Sequence, residues 1–284
     1  MNLLNKNLFK YKSLKYSKED FKPVKEELRS APLVETLEYF GIFDLPKEIK
    51  ISKVKDSIIG EKTEASMFGK VYNKAIIDGD ENFTVNDNTD LIRLYIELDE
   101  YGLIPLFMDL VKKVRPDAIV KFTCHPDRGF RRPKLYTWID GVCAEIQLGI
   151  PMQEDFDKAH HKLYRQIRTL PKDSLTRQKL NKVGEHIYDF LWTDIDTESV
   201  DTIIQEKVES FGNKKPRNRL PNGLGTYLSQ PVFKFRKGKL IDFDEKLLAD
   251  QVEVAHEYTL PRQVEFIKLT KKLYDEYRHD TMTI

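Results

Sequence analysis

The chain has 284 residues with 47 Lys and Arg against 46 Asp and Glu, enough for one large domain or a core with helical additions. A net charge near zero supplies no global field toward nucleic acid or an anionic membrane, so binding of either kind needs a local patch. The two cysteines, Cys124 and Cys143, form no CxxC pair, which fits neither a disulfide framework nor a structural zinc site and points to a reducing, cytoplasmic setting. No stretch has the length and apolarity of a membrane span or signal peptide, so no membrane partner is expected.

In chain order, residues 1–48 read as a helical N-terminal segment. Lys6, Lys10, Lys12 and Lys15 make a solvated arm, Ser17 with Asp20 resembles a capping box, Pro32 breaks a first helix, and Leu33, Leu37 and Phe40 stripe a second. Residues 49–170 alternate strand and helix patterns, which predicts an α+β core. Its clearest strand is 91–98, with Ile92, Leu94, Ile96 and Leu98 on one side and Arg93, Tyr95 and Glu97 on the other. A buried helix follows at 103–114 and a second strand at 118–124. Residues 171–284 read as mainly helical, with helices at 175–192, 198–211 and 260–278 and a short hairpin around Lys237-Gly238. "NGLGTYL", residues 222–228, lacks a preceding strand and a Lys-Ser/Thr pair and is not a phosphate loop.

The stretch "KLYTWIDGVCAEIQLG" contains two alternating runs around Asp140-Gly141, a two-residue hairpin turn in which both residues take positive φ. Strands at 134–139 and 142–148 then pair Ile139 with Val142, Trp138 with Cys143, Tyr136 with Glu145 and Lys134 with Gln147. Leu135, Ile139, Val142, Ala144 and Ile146 form the core side. Lys134, Tyr136, Trp138, Cys143, Glu145 and Gln147 share the opposite face, where Glu145 is expected to be exposed and to carry no core packing. The preceding "HPDRGFRRPK" reads as a loop bringing Arg128, Phe130, Arg131, Arg132 and Lys134 to that face, a composition suited to a nucleotide's base and phosphates. His160 and His161 point about 100° apart on a helix and cannot easily share one metal ion, so one packed and one exposed ring is expected.

Taken in order, these pieces resemble the synthetase domain of RelA/SpoT-type alarmone synthetases, including small single-domain synthetases and their toxin relatives. The resemblance spans roughly residues 50–168. It is carried by Lys62, Ser66 and Lys70 in "EKTEASMFGK", Arg93 ending "VNDNTDLIR", Gly129-Phe130 with Lys134 in the loop, and Glu145-x-Gln147 followed by "FDKAHHKLYRQI". Phe130 stands where the family has a stacking Tyr, Lys134 where it has His, Gly60 where it has Arg, and Asn88 where it has a metal-binding Asp.

The resemblance implies a nucleotidyltransferase-like mixed β-sheet flanked by helices. It also implies an ATP-dependent pyrophosphokinase that moves the terminal pyrophosphate of ATP to a hydroxyl of a nucleotide or of a tRNA 3′ end. Mg²⁺ would be held by Glu145 with Asp87 or Asp90, the donor phosphates by Lys62, Lys70 and Arg93 near Ser66, and the acceptor phosphates by Arg131, Arg132 and Lys134. Phe130 would stack on a base, and Gln147 would read a base edge or orient the hydroxyl. The alternative is a catalytically impaired relative that binds a nucleotide or alarmone as a sensor or interaction module.

Overall fold

The structure is a computed structural model and describes residues 49, 51–55, 63–125, 129–171, 173–212 and 214–262. The N-terminal helices expected within 17–43, and Gly60, Lys62 and Arg128, lie outside the described residues.

Strands β1 (Ile51–Lys55), β2 (Ile92–Leu98), β3 (Ile119–His125), β4 (Phe130–Ile139) and β5 (Val142–Gly149) form a five-stranded sheet in the order β1-β2-β5-β4-β3. β2 and β5 run parallel and every other neighbouring pair is antiparallel, so the sheet is mixed. The helices are α1 (Glu64–Ile76), α2 (Ile104–Val114), α3 (Gln153–Thr169), α4 (Leu175–Trp192), α5 (Thr197–Ser210) and α6 (Asn222–Leu228). A small hairpin, β6 (Phe233–Arg236) and β7 (Lys239–Phe243), precedes a helix α7 over 245–262. The architecture is α+β, as expected. No helix among the described residues is long and apolar enough to cross a membrane.

Local chemistry accounts for the boundaries. The Thr63 hydroxyl accepts a hydrogen bond from Ser66 N (3.2 Å) and caps α1, which buries Met67, Val71 and Ala75 at four-residue spacing. Ser174 and Asp196 cap α4 and α5 in the same way. Asp140 and Gly141 have φ of 47° and 82°, and Lys237 and Gly238 have φ of 52° and 72°, so both hairpins turn on two left-handed residues.

One face of the sheet packs Ile92, Leu94, Ile96, Leu98, Leu135, Ala144 and Ile146 against Phe107, Met108 and Val111 of α2. Ile204 and Val208 of α5, Leu224 and Leu228 of α6, and Leu248 and Val252 of α7 belong to the same core, so residues after 171 share the hydrophobic interior of the preceding segment.

One sequence expectation is corrected here. Residues 130–133, expected in a loop, are the first part of β4, paired with β3 from His125↔Phe130 to Phe122↔Pro133. Pro133, which has no N–H to give, lies just beyond the last β4–β5 pair, Lys134↔Gln147.

Candidate active site

Period-2 alternation along β2, β5 and β4 builds the polar face in rows. The parallel ladder places Arg93 beside Glu145 and Tyr95 beside Gln147. The antiparallel ladder adds Tyr136 opposite Glu145 and Lys134 opposite Gln147. The register read from the Asp-Gly turn is therefore the one the chain adopts.

Glu145 is the centre of this face. Its Oε1 accepts a hydrogen bond from Gln147 Nε2 (2.5 Å), and its Oε2 accepts from the Tyr136 hydroxyl (2.8 Å) and from Lys134 Nζ (3.2 Å). Contrary to the expected exposure, Glu145 is only 4% exposed, because Ile119, Tyr136 and Cys143, with Trp138 against them, make a small second cluster on this side of the sheet. Burial pushes the Glu145 carboxyl upward. The Lys134 charge and the hydrogen bonds from Gln147 and Tyr136 outweigh it and hold the group below the ordinary carboxylate range. Burial, then the Glu145 charge, push the Tyr136 phenol upward, so it stays a donor.

Asp90 and Lys70 join this group. Lys70 Nζ donates to Asp90 Oδ1 (2.6 Å), and the Asp90 charge acts on Glu145, Tyr136 and Cys143. Arg93, half-buried, stands on the same face beside Glu145. Ser66 is exposed, one turn before Lys70 on α1.

Asp87 is not brought to Glu145. Its Oδ2 accepts from Thr84 N (2.9 Å) and the Thr84 hydroxyl (2.8 Å), closing a capping box, and Lys215 lies 3.7 Å from Oδ1. Asn88 is fully buried, and its Nδ2 donates to Val85 O (3.2 Å).

Arg131 and Arg132 are adjacent strand residues and point to opposite faces. Arg131 donates to Asp201 of α5 (2.8 Å) and lies over the Trp192 ring. Arg132, 2% exposed, pairs with Asp157 of α3 and stacks on Tyr95. Of the expected run of exposed cations, the described members are all engaged: Arg131 and Arg132 with these carboxylates, and the half-buried Lys134 with Glu145 (3.2 Å). Phe130 packs against His125, His160 and Tyr188 inside an aromatic group. Of the two histidines on α3, His160 is buried and His161 exposed, as expected.

Sequence reasoning missed Asp157, Asp201 and Asn218. The Asn218 side chain bonds the start of β5 and the loop before β2, but no local pattern marks it.

Among the described residues, no three His, Cys, Asp or Glu side chains converge into a metal cluster. The Asp90 charge acts on Glu145, and Mg²⁺ is commonly held by one or two carboxylates with the remaining ligands from phosphate and water. This donor pair fits that pattern; Asp87 does not.

No family model and no curated protein matches the chain. Among solved structures, it is similar to a GTP pyrophosphokinase family protein from Streptococcus pneumoniae, at 15% identity over 66% of this chain and 92% of that one, with a TM-score of 0.36. It is also similar to small alarmone synthetase 1 from Bacillus subtilis, at 17% identity over 68% of this chain and 93% of that one, TM-score 0.36. The same enzyme bound to its product pppGpp gives 16% identity over 70% and 94%, with a TM-score of 0.35.

Proposed function

We propose that this chain binds ATP on the polar face of its sheet and transfers the terminal pyrophosphate to a hydroxyl of an acceptor nucleotide. The observation that carries the reading is Glu145: a nearly buried carboxylate held ionised beside Lys134 and Arg93, with Asp90 and Lys70 adjoining. A buried charge is costly and is retained where it meets cations or phosphates.

In the proposed step the acceptor oxygen bonds to the β-phosphorus, the bond between that phosphorus and the α,β-bridging oxygen breaks, AMP leaves, and the hydroxyl proton passes to solvent. Lys70 and Arg93 would neutralise charge on the donor phosphates, and Lys134 would contact the acceptor. Gln147, already bonded to Glu145, would orient the attacking hydroxyl. Bound Mg²⁺, held by Glu145 and Asp90, would supply charge neutralisation of the triphosphate. The lowered Glu145 carboxyl is a poor proton acceptor, which suits it to the role of an anionic ligand rather than a general base.

A second reading has its own observations. Both Glu145 oxygens are occupied by side-chain donors, Asn88 is turned inward, and Arg131 and Arg132 are committed to carboxylates. These favour a nucleotide-binding relative that does not transfer.

The test is incubation of the purified chain with γ-labelled ATP in Mg²⁺ or Mn²⁺ and a panel of GDP, GTP, adenine nucleotides and bulk tRNA. Transfer is shown by label on an acceptor together with released AMP. Nucleotide binding without transfer selects the second reading, and absence of binding rejects both.

A further inference from the structure

We infer that Asn218, in the segment 214–221 before α6, is a positioning residue that sets the relation between Glu145 and Asp90; this rests on the nucleotide reading above. Asn218 is 9% exposed. Its Oδ1 accepts from Cys143 N (2.8 Å), while Nδ2 donates to Asn86 O (2.8 Å) and Asn88 O (3.0 Å). Both amide hydrogens and the carbonyl are thereby used.

The partners lie on two different carriers. Cys143 is two residues before Glu145 on β5, and Asn88 is two residues before Asp90 in the loop that enters β2. The β2–β5 ladder begins only at Ile92↔Ala144, so the ladder itself does not join residues 86–91 to β5. Asn218 supplies the missing rung with one side chain.

The segment bearing Asn218 is itself anchored on the hairpin. Arg219 N donates to Gly141 O (2.7 Å), and Trp138 Nε1 donates to Arg217 O (2.8 Å). The Arg219 guanidinium lies 3.2 Å from the Trp138 ring centroid and pairs with Asp117 (2.9 Å). Displacement of the 86–88 loop would therefore move Asp90 against a β5 strand that stays in place. An aspartate at this position would keep the bond from Cys143 N but set a carboxylate oxygen against two carbonyls, releasing the loop side alone.

The experiment compares wild type, Asn218→Ala and Asn218→Asp as full chains by amide hydrogen exchange over 85–92 and by calorimetric titration of ATP with Mg²⁺ and with EDTA. Exchange over 85–92 should quicken in both variants. The gain in ATP affinity conferred by Mg²⁺ should fall about tenfold, as for loss of groups that orient metal ligands, while metal-free ATP affinity stays at the wild-type level. Asn218→Asp retains the Cys143 bond and decides the matter where Asn218→Ala does not fold. Unchanged exchange, an unchanged Mg²⁺ gain, or an equal loss with and without Mg²⁺ would overturn the positioning role alone. A wild-type chain that takes up no ATP overturns the nucleotide reading, and the positioning role with it.

Discussion

Tyr136 and Glu145 face each other across β4 and β5, and the Tyr136 hydroxyl donates a 2.8 Å hydrogen bond to Glu145 Oε2. Both are nearly buried, at 6% and 4% exposure, on the sheet face opposite the main core. The pair explains how a carboxylate is tolerated there: the phenol, Lys134 and Gln147 replace the water that burial removes.

Glu145→Gln keeps the size and removes the charge. Pyrophosphate transfer, measured with labelled ATP, should fall roughly a hundredfold or more, the scale expected when a metal ligand is lost. Because Glu145 is buried and bonded at both oxygens, the variant should also lose about 1–3 kcal/mol in urea unfolding. Full activity in this variant would remove the carboxylate from the mechanism.

The lowered Glu145 carboxyl makes stability depend on pH. The folded-state value lies below the ordinary 4.5, so the unfolded chain takes up the proton first as pH falls. The contribution is full above the unfolded-state value and is lost as pH drops through the folded one. Urea midpoints measured from pH 7 to pH 3 should fall more steeply below the ordinary value in wild type than in Glu145→Gln. Identical acid profiles would contradict the assignment.

Arg132 and Lys134 should separate in their effects. Arg132→Ala removes the buried cation beside Asp157, which keeps only the Tyr188 hydroxyl, and should cost roughly 1–3 kcal/mol of stability with little effect on nucleotide affinity. Lys134→Ala should weaken nucleotide binding, by roughly 1.5–3 kcal/mol, the scale of a hydrogen bond to a charged group, and should also lower stability, because it takes away the charge that holds the buried Glu145 carboxylate ionised. Calorimetry on both variants, with thermal unfolding alongside, distinguishes the roles; equal nucleotide affinity in wild type and Lys134→Ala would remove Lys134 from the site.

Gly141 has φ of 82°, and a Cβ built there would lie 2.5 Å from Arg219 O. Gly141→Ala should therefore cost more than the roughly 1–2 kcal/mol of a left-handed residue alone. Hydrogen exchange should also quicken in 217–220, whose backbone is tied to the turn. Wild-type exchange there would show that the turn does not hold the segment.

Cys124 pairs with Arg131 and Cys143 with Trp138 along β4, a separation of seven β4 positions or about 23 Å. Intact-mass analysis should therefore find no internal disulfide. Alkylation should reach the half-buried Cys124 well before the fully buried Cys143, whose thiol is pushed upward by burial and then by the Glu145 charge. Faster labelling of Cys143 would contradict its placement.

Four of the five strands of the central sheet and the register of its hairpin were legible in the sequence because both follow from local rules, whereas the edge strand β1 was not read. Asp140-Gly141 selects a two-residue turn, and alternation then assigns Tyr136, Glu145 and Gln147 to one face. The state of those side chains was not legible. Arg131 and Arg132 read as one exposed basic loop, yet β3 draws them into a strand that sends them to opposite faces, and their carboxylates come from helices far along the chain, Asp201 lying 70 residues from Arg131. The burial of Glu145, the choice of Asp90 over Asp87 as its neighbour, and the Asn218 bridge across 75 residues to Cys143 likewise depend on tertiary packing. Periodicity is written in adjacent residues, whereas the partner that neutralises a buried charge is set by which distant segment the fold brings within hydrogen-bonding reach.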